Sequence, residues 1–215
     1  MAPVDLEPVQ AREHAQHGGA VVVDLGAPKD FALGHPEGAI SLPFSEKGLS
    51  DRLSNVLPSG TPVILAAASP EQAEAAAIGL AGSSFLLVGV IKGGRGAWSE
   101  AGLPSSSLAE VPVESLASPS SPEIMVVLDV REPMEWETGH VPGALLFSLG
   151  SLREHVHEIP RQAHIAVICE SGVRSSTAAS ILRIEGFSNV ANVPEGTGGY
   201  RHAGLPLQYP EVQPD

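Results

Sequence analysis

The sequence repeats itself, and this repeat is the strongest constraint on the fold. Residues 21–43 read VVVDLGAPKDFALGHPEGAISLP, and residues 126–149 read VVLDVREPMEWETGHVPGALLFSL. Each segment is followed by a glycine-rich stretch and then by AGLP. Several matches in the same order favour internal duplication of a unit of about 100 residues. We therefore predict two domains, residues 1–107 and 108–215, joined through a segment rich in serine and proline.

Each copy alternates short apolar runs with helical patterns, which is typical of a parallel sheet flanked by helices. Strands are expected at Ala20–Asp24 in the first copy, and at Met125–Asp129 and Ile165–Ile168 in the second. A helix is expected over Ser175–Ile184, with Gly186 just past its end. The predicted fold class is α/β, with two similar domains, each a mainly parallel sheet flanked by helices.

Charge and cysteine content restrict the possible partners and compartment. The formal net charge is -13, which argues against a nucleic-acid partner because phosphate contacts need a basic surface. The N-terminus has acids where a signal peptide needs a basic start, and no apolar run approaches about 18 residues. One cysteine cannot form an internal disulfide, which is compatible with a reducing compartment. We expect a cytoplasmic protein without a membrane span.

The single cysteine, Cys169, follows one predicted strand and precedes a predicted helix. It is therefore expected at the carboxyl end of a strand and near a helix N-terminus, where α/β proteins bind ligands and where N–H groups stabilise an anion. Gly172 permits a tight turn, so that the amides of residues 170–174 form an anion-binding nest. Arg174 then bonds either loop carbonyls or a bound anion. The alternative is a buried cysteine that acts as a small apolar side chain.

Three segments of the second copy carry a resemblance to a known family. They are LDVRE (Leu128–Glu132), WETGHVPGA (Trp136–Ala144) and CESGVRS (Cys169–Ser175). In this order they resemble the signatures of the tandem rhodaneses, which are sulfurtransferases, although Trp136 stands where that family more often has Phe or Tyr. The resemblance implies that the cysteine attacks a donor's sulfane sulfur, holds it as a persulfide and yields it to an acceptor such as cyanide or a thiol. We expect no cofactor, and small-molecule or protein sulfur donors and acceptors as partners.

The resemblance also implies roles for individual residues. Catalysis falls to Cys169 and Arg174. Substrate binding falls to Arg131 and to the loop residues Glu170, Ser171, Gly172 and Val173. The loop is Cys-X4-Arg, whereas phosphatase relatives on this fold use a longer Cys-X5-Arg loop, so the spacing favours sulfur over phosphate chemistry.

Two questions stay open in the sequence. Glu170 either repels a dianionic donor such as thiosulfate, in favour of a glutathione persulfide or a protein persulfide, or points outward and matters little. The alternative function, from a different class, is a non-enzymatic rhodanese-like module for protein binding or regulation.

The first copy lacks the reactive residues. The counterpart of Cys169 falls within Ile64–Ala67, and that of Arg174 within Ser69–Gln72. Neither segment supplies a thiol or a cation, and Gly26 stands where the second copy has Arg131. We therefore predict that residues 1–107 form a catalytically silent domain that serves as a structural partner.

Several polar residues recur in both copies, which favours a structural role. Asp129 is matched by Asp24, and His140 by His35, for which we predict a structural hydrogen bond. The HVH segment (His155–His157) has no third ligand at a recognisable spacing, so no metal site is expected there.

Arg131 has two alternative interpretations, and the two glycine-rich segments are interpreted as turns. Arg131 either faces the pocket or pairs with a neighbouring glutamate, Glu132 or Glu135. The segments KGGRGAW (Lys92–Trp98) and EGTGGY (Glu195–Tyr200) lack the spacing of a nucleotide-binding loop and are predicted to be turns that enter short helices.

Overall fold

A computed structural model describes residues 3–117 and 125–210. The chain divides into two compact units, Met1–Ser107 and Leu108–Asp215, and each is built on one five-stranded sheet. All strand pairs within these two sheets are parallel. This confirms the predicted α/β class, with two sheet bodies flanked by helices. In the part of the chain described, every helix is too short or too polar to cross a bilayer.

The first unit alternates strands and helices along the chain. Its elements are β1 (Asp5–Leu6), α1 (Pro8–His17), β2 (Val21–Asp24), α2 (Pro28–Leu33), β3 (His35–Pro36), β4 (Ile40–Ser41), α3 (Leu49–Ser54), β5 (Pro62–Ala66), α4 (Pro70–Leu80), β6 (Leu86–Ile91), α5 (Gly94–Glu100) and β7 (Ser105–Ser106). The sheet order is β1-β6-β5-β2-β4, and β3 pairs antiparallel with β7.

The second unit follows the same plan. Its elements are β8 (Ala109–Glu110), α6 (Glu114–Ala117), β9 (Met125–Asp129), α7 (Pro133–Trp136), β10 (Leu145–Leu146), α8 (Leu152–His155), β11 (His164–Ile168), α9 (Val173–Ile184), β12 (Val190–Asn192) and α10 (Gly196–His202). Short 3-10 turns at Leu149–Ser151 and Val156–Glu158 flank α8. The sheet order is β10-β9-β11-β12-β8.

The central strand β11 is buried from Ile165 to Ile168, as expected for a parallel strand covered on both faces. The helix that follows, α9, is buried from Ser175 to Leu182. Six of those eight residues are Ser, Thr or Ala, and these small side chains let the helix approach the sheet closely. The result is a closely packed strand-loop-helix unit around residues 169–172.

Most predicted elements are confirmed, with shifted ends. The strands expected to begin at Ala20 and Ile165 begin one residue later and one earlier. The helix expected from Ser175 begins at Val173, because Gly172 in a left-handed conformation (φ 80°) turns the chain directly into it. The segments KGGRGAW and EGTGGY lead into α5 and α10 as predicted.

The segment interpreted as a connection contains structure that the sequence did not indicate. It contributes β7 and β8 to sheet pairing, because backbone hydrogen bonds do not require apolar side chains. The helix expected within VPVESLAS is α6, while Ser118 and the rest of the connection to residue 124 lie outside the described residues.

Candidate active site

Cys169 directly follows β11, which lies between β9 and β12 in the middle of the sheet. The residue is 1% exposed. Two residues later Ser171 is exposed, Gly172 is buried, and α9 begins at Val173. The thiol thus lies between the carboxyl end of a parallel sheet and the first turn of a 12-residue helix.

Two glycines allow the loop of residues 169–174 to pack against the chain that follows β12. A Cβ on Gly172 would lie 2.2 Å from the carbonyl oxygen of Pro194. A Cβ on Gly196, where φ is 62°, would lie 2.5 Å from the carbonyl oxygen of Cys169. Any side chain at either position would separate the two segments, so both glycines are required for close approach as well as for their positive φ.

The carbonyl groups of the loop point toward α10. The N–H of Thr197 donates to the carbonyl of Cys169 at 2.7 Å, and the N–H of Gly198 donates to that of Glu170 at 3.0 Å. In a planar trans peptide the C=O and the N–H point in opposite directions. The N–H groups of Glu170 and Ser171 therefore point away from α10 and are available to an anion.

Ser175 makes a direct contact with the thiol. Its hydroxyl donates to the Sγ atom of Cys169 at 3.4 Å, and its residue is fully buried. We did not single out this serine in the sequence, although it lies inside the CESGVRS motif. Its place in the first turn of the helix that follows the thiol is the signal that could have identified it.

Arg174 pairs with Glu135 of α7. Its two terminal nitrogens donate to the two carboxylate oxygens at 2.6 and 2.7 Å. These hydrogen bonds lower the pKa of Glu135 to about 2 and raise the pKa of Arg174, to which the charge of Cys169 also contributes. We expected Arg174 to bond loop carbonyls or an anion; in this structure it instead bonds a carboxylate 39 positions earlier, which the sequence did not indicate.

Glu170 does not point freely into solvent. One carboxylate oxygen accepts a hydrogen bond from the hydroxyl of Thr197 at 2.8 Å, and the other is bonded by Arg201. The guanidinium of Arg131 lies 3.9 Å from the same carboxylate. The charge of Glu170 is thus largely compensated by two arginines, one of them on α10.

Arg131 bonds a partner that the sequence analysis did not consider. It pairs with neither Glu132 nor the Glu135 carboxylate and does not reach solvent: its side chain is fully buried and bonds the carboxylate of Asp129 through Nε and Nη2. It also donates to the carbonyls of Glu135 and Gly139 at 3.2 and 3.0 Å. With most of its donors used inside the protein, Arg131 links the end of β9 to α7 and lies beside Glu170. The same contacts give Asp129 the structural role that its repetition predicted.

The register of the first sheet identifies the residue in the place of Cys169. Asp24 is opposite Ala66 in the first unit, as Asp129 is opposite Ile168 in the second. Ala67 therefore occupies the position of Cys169, within the range expected from the repeat. Three residues later the first unit has Pro70, which has no N–H, where the second has Gly172.

In the first unit the arginine beside the buried aspartate comes from α5 and not from the segment that follows the strand. Arg95 of α5 lies 3.5 Å from Asp24, and a Cβ on Gly26 would lie 2.9 Å from its guanidinium. In the second unit the equivalent charge comes from Arg131, two residues after the end of β9. Thr197 is the residue of α10 that corresponds to Arg95 of α5. The two units thus place an arginine beside equivalent aspartates from different elements.

The repeated histidines have the predicted structural role. The Nδ1 atom of His140 donates to the carbonyl of Trp136 at 3.3 Å, and that of His35 to Phe31 at 2.7 Å. Each imidazole also stacks on the ring of the same partner. Over residues 3–117 and 125–210 no group of three potential metal ligands comes together; in the HVH segment the Nδ1 atom of His155 donates a hydrogen bond to the carboxylate of Glu158 at 2.7 Å.

Comparison with known protein families identifies a match in the second unit. A family model described as a rhodanese-like domain matches residues 113–203. A sulfurtransferase of Allochromatium vinosum is 31% identical over 103 residues, which are 47% of this chain and 96% of that protein.

Two further similarities are of different extent. YrkF of Bacillus subtilis, which is described as a sulfur carrier, is 37% identical over 93 residues, 43% of this chain. The chain spans 50% of the length of that relative. A solved structure, the rhodanese-related protein of Thermoplasma volcanium, is 29% identical and has a TM-score of 0.43, covering 46% of this chain and 97% of that one.

Proposed function

Because the chain belongs to the rhodanese family, we propose that it is a sulfurtransferase whose reactive group is Cys169. The observation that carries this proposal is the surroundings of the sole thiol. Cys169 lies at the carboxyl end of β11, receives a hydrogen bond from Ser175, and is followed by a loop whose carbonyls point away toward α10. Such a loop leaves its N–H groups to hold one anionic sulfur.

In the first half-reaction the thiolate of Cys169 attacks the outer, sulfane sulfur of a donor R–S–SH. A bond forms between Sγ and that sulfur, and the S–S bond of the donor breaks. The thiolate R–S⁻ leaves with the electron pair, and Cys169 becomes a persulfide. With thiosulfate the leaving group is sulfite instead.

In the second half-reaction an acceptor thiolate or cyanide attacks the outer sulfur of the persulfide. The new bond forms on the acceptor, the Sγ–S bond breaks, and Cys169 recovers its electron pair as a thiolate. Sulfur is transferred without net oxidation. Two transfers through one covalent intermediate predict ping-pong kinetics.

The residues around the thiol have separate roles in this proposal. The N–H groups of residues 170–174 hold the anionic persulfide, and the Ser175 hydroxyl donates to the sulfur of Cys169. Arg174 orders the mouth of the loop through its bidentate bond with Glu135. Ser171 and Val173 are the exposed loop residues and are the ones placed to touch a donor.

The two units have different roles in the proposal. Residues 108–215 carry the reaction. Residues 1–107 are catalytically silent, because Ala67 and Gln72 stand where the second unit has its thiol and its loop arginine. We propose a small molecule or a protein as sulfur donor and acceptor and, from the single cysteine, a reducing compartment such as the cytoplasm.

A mass measurement tests the proposal. The full chain is incubated with thiosulfate or with glutathione persulfide, and its intact mass is recorded. We expect a gain of about 32 Da, one sulfur atom, which cyanide removes and which is absent in Cys169→Ala. If the wild-type chain gains no sulfur from either donor, the enzymatic proposal is wrong, and the alternative of a rhodanese-like module for protein binding or regulation is favoured.

A further inference from the structure

The arginines around the candidate active site are each bonded to a carboxylate. Arg174 is bonded to Glu135 by two hydrogen bonds, Arg201 is bonded to Glu170, and Arg131 is bonded to Asp129. These three pairs account for every arginine on α10, in the segment that joins β9 to α7 and in the first turn of α9, within the described residues. A donor that approaches Cys169 therefore meets ion pairs rather than an uncompensated cation.

The pair of Arg174 and Glu135 differs from the other two because it joins two helices, α9 and α7. Both side chains are about one-third exposed, at 33% and 35%. Arg174 is the nearest of the three arginines to Cys169 in sequence, and its guanidinium interacts electrostatically with the thiol. The position of Arg174 is thus set by a residue of α7 and not by the loop to which it belongs.

Glu135 is itself held in place by several contacts. Its carboxylate accepts a hydrogen bond from the N–H of Glu132 at 3.1 Å, at the start of α7. Its carbonyl accepts from the buried guanidinium of Arg131 at 3.2 Å. The carboxylate is therefore a fixed partner for Arg174, and a donor has to compete with it for the guanidinium.

We propose that Glu135 is a specificity-determining residue that holds and neutralises Arg174, so that the site takes thiol persulfides and discriminates against thiosulfate. The proposal rests on the proposed sulfur transfer and deepens it. Glu135 acts through Arg174 and does not touch the reacting atoms, so it is a positioning residue.

The physical basis is the charge of the leaving group. When Cys169 attacks thiosulfate, the S–S bond breaks and sulfite, a dianion, leaves with the electron pair. When it attacks a thiol persulfide, a thiolate with one charge leaves. An uncompensated arginine at the mouth would stabilise the dianion more than the monoanion, because the interaction energy scales with the charge. A bidentate carboxylate removes most of that difference.

The experiment compares the rates at which Cys169 gains sulfur from two donors. Full-length wild type and Glu135→Gln are mixed with thiosulfate or with glutathione persulfide, and the second-order rate of the mass gain is recorded for each. We expect Glu135→Gln to raise the ratio of the thiosulfate rate to the persulfide rate by about tenfold, because Arg174 becomes available to the leaving sulfite. The fraction of protein that does not react cancels in this ratio, so a loss of reactive protein alone does not change it.

Two variants serve as controls. Glu137→Gln removes the same charge from an exposed position at the end of α7, and we expect it to leave the ratio unchanged. The double variant Glu135→Gln/Arg174→Gln tests whether the rise in the donor ratio depends on the arginine. We expect it to show the same ratio as Arg174→Gln alone.

The outcomes separate this inference from the proposed function. If the wild type gains sulfur from glutathione persulfide but Glu135→Gln leaves the donor ratio unchanged, the inference about Glu135 is wrong and the sulfur transfer stands. The inference is also wrong if Glu135→Gln still raises the donor ratio in a chain that carries Arg174→Gln. If no donor loads the wild type, both proposals are overturned.

Discussion

At the scale of single residues, the candidate reaction centre consists of one sulfur atom and the few groups that touch it. Cys169 is buried at 1% exposure, and the Ser175 hydroxyl is bonded to its Sγ atom. A buried anionic sulfur needs such donors because solvent cannot supply them. The serine is therefore expected to affect reactivity more than fold.

We predict that Ser175→Ala lowers the rate of sulfur transfer to Cys169 by about tenfold, since one hydrogen bond to the reacting sulfur is lost. The rate is measured as the mass gain with glutathione persulfide. Ser180→Ala is the matched control, because Ser180 is a buried serine of the same helix whose hydroxyl donates to the carbonyl of Thr177. Equal rates for the two variants would show that the contact of Ser175 with the sulfur has no role in transfer.

At the scale of secondary-structure elements, the loop after β11 is shaped by its neighbour across the sheet. Gly172 and Gly196 bring residues 169–174 against the chain between β12 and α10, and two N–H groups of α10 donate to the carbonyls of Cys169 and Glu170, which point toward that helix. The orientation of the loop amides is thus imposed by a segment about 25 residues further along. The site depends on this contact between elements as much as on its own motif.

We predict that Gly172→Ala abolishes most sulfur transfer. The alanine Cβ would meet the carbonyl of Pro194 at 2.2 Å, so the loop has to move, and the positive φ adds roughly 1–2 kcal/mol of strain. Gly143→Ala is the control: its φ of 74° is similar, but nothing lies within 4 Å of the added Cβ. We expect the strain at this positive φ to lower the free energy of unfolding of Gly143→Ala, measured by urea denaturation, and we expect the rate of sulfur transfer to be unchanged. Retained transfer in Gly172→Ala would contradict the requirement for a close contact.

At the scale of the whole molecule, two sheets with the same strand order have diverged around equivalent aspartates. Asp129 is fully buried and bonded through both oxygens to Arg131. Asp24 is also buried, but its Oδ2 atom receives no hydrogen bond from the residues that the structure describes, and the Arg95 guanidinium is 3.5 Å away. Burial therefore raises the pKa of Asp24 to about 6, with Arg95 and the N–H of Gly26 opposing it.

These environments predict that the same substitution costs much more stability at Asp129 than at Asp24. Asp129→Asn leaves the buried Arg131 without its charge partner and is expected to lower the free energy of unfolding by roughly 3–5 kcal/mol. Asp24→Asn removes a poorly compensated buried charge and keeps an oxygen for the N–H of Gly26, so its change at pH 7.5 is expected to be within about 1 kcal/mol or stabilising. Urea denaturation of the two full-length variants provides the comparison. Similar losses in both would contradict the difference between the two environments.

The pH dependence of Asp24→Asn provides a separate check. The pKa of Asp24 in the folded protein, about 6, lies above its ordinary value of 3.8. Between these values the folded state binds more protons than the unfolded state, so this group makes stability fall as pH rises. The stability of Asp24→Asn relative to wild type should thus be greatest above pH 6 and decline toward pH 4. A difference that does not vary with pH would exclude this titration.

The sequence by itself determined the class of fold and the place of the thiol. The repeat, the apolar runs and the glycines at the ends of elements predicted two parallel sheets and a cysteine between β11 and α9. Strands and helices could be predicted in this way because they follow from the local spacing of apolar residues. The same alignment restricted the counterpart of Cys169 to four residues, and the strand register then identified Ala67.

Only the tertiary structure decided which charged groups meet. Arg174 bonds Glu135 across 39 positions, Glu170 is bonded by Arg201 across 31, and Arg131 is buried and bonded to Asp129. The sequence offers several carboxylates near each arginine, and their charges are the same in every pairing. Which pair forms depends on how α7, α9 and α10 pack at the end of the sheet, and this packing is set by close contacts at glycines and small residues far apart in the chain.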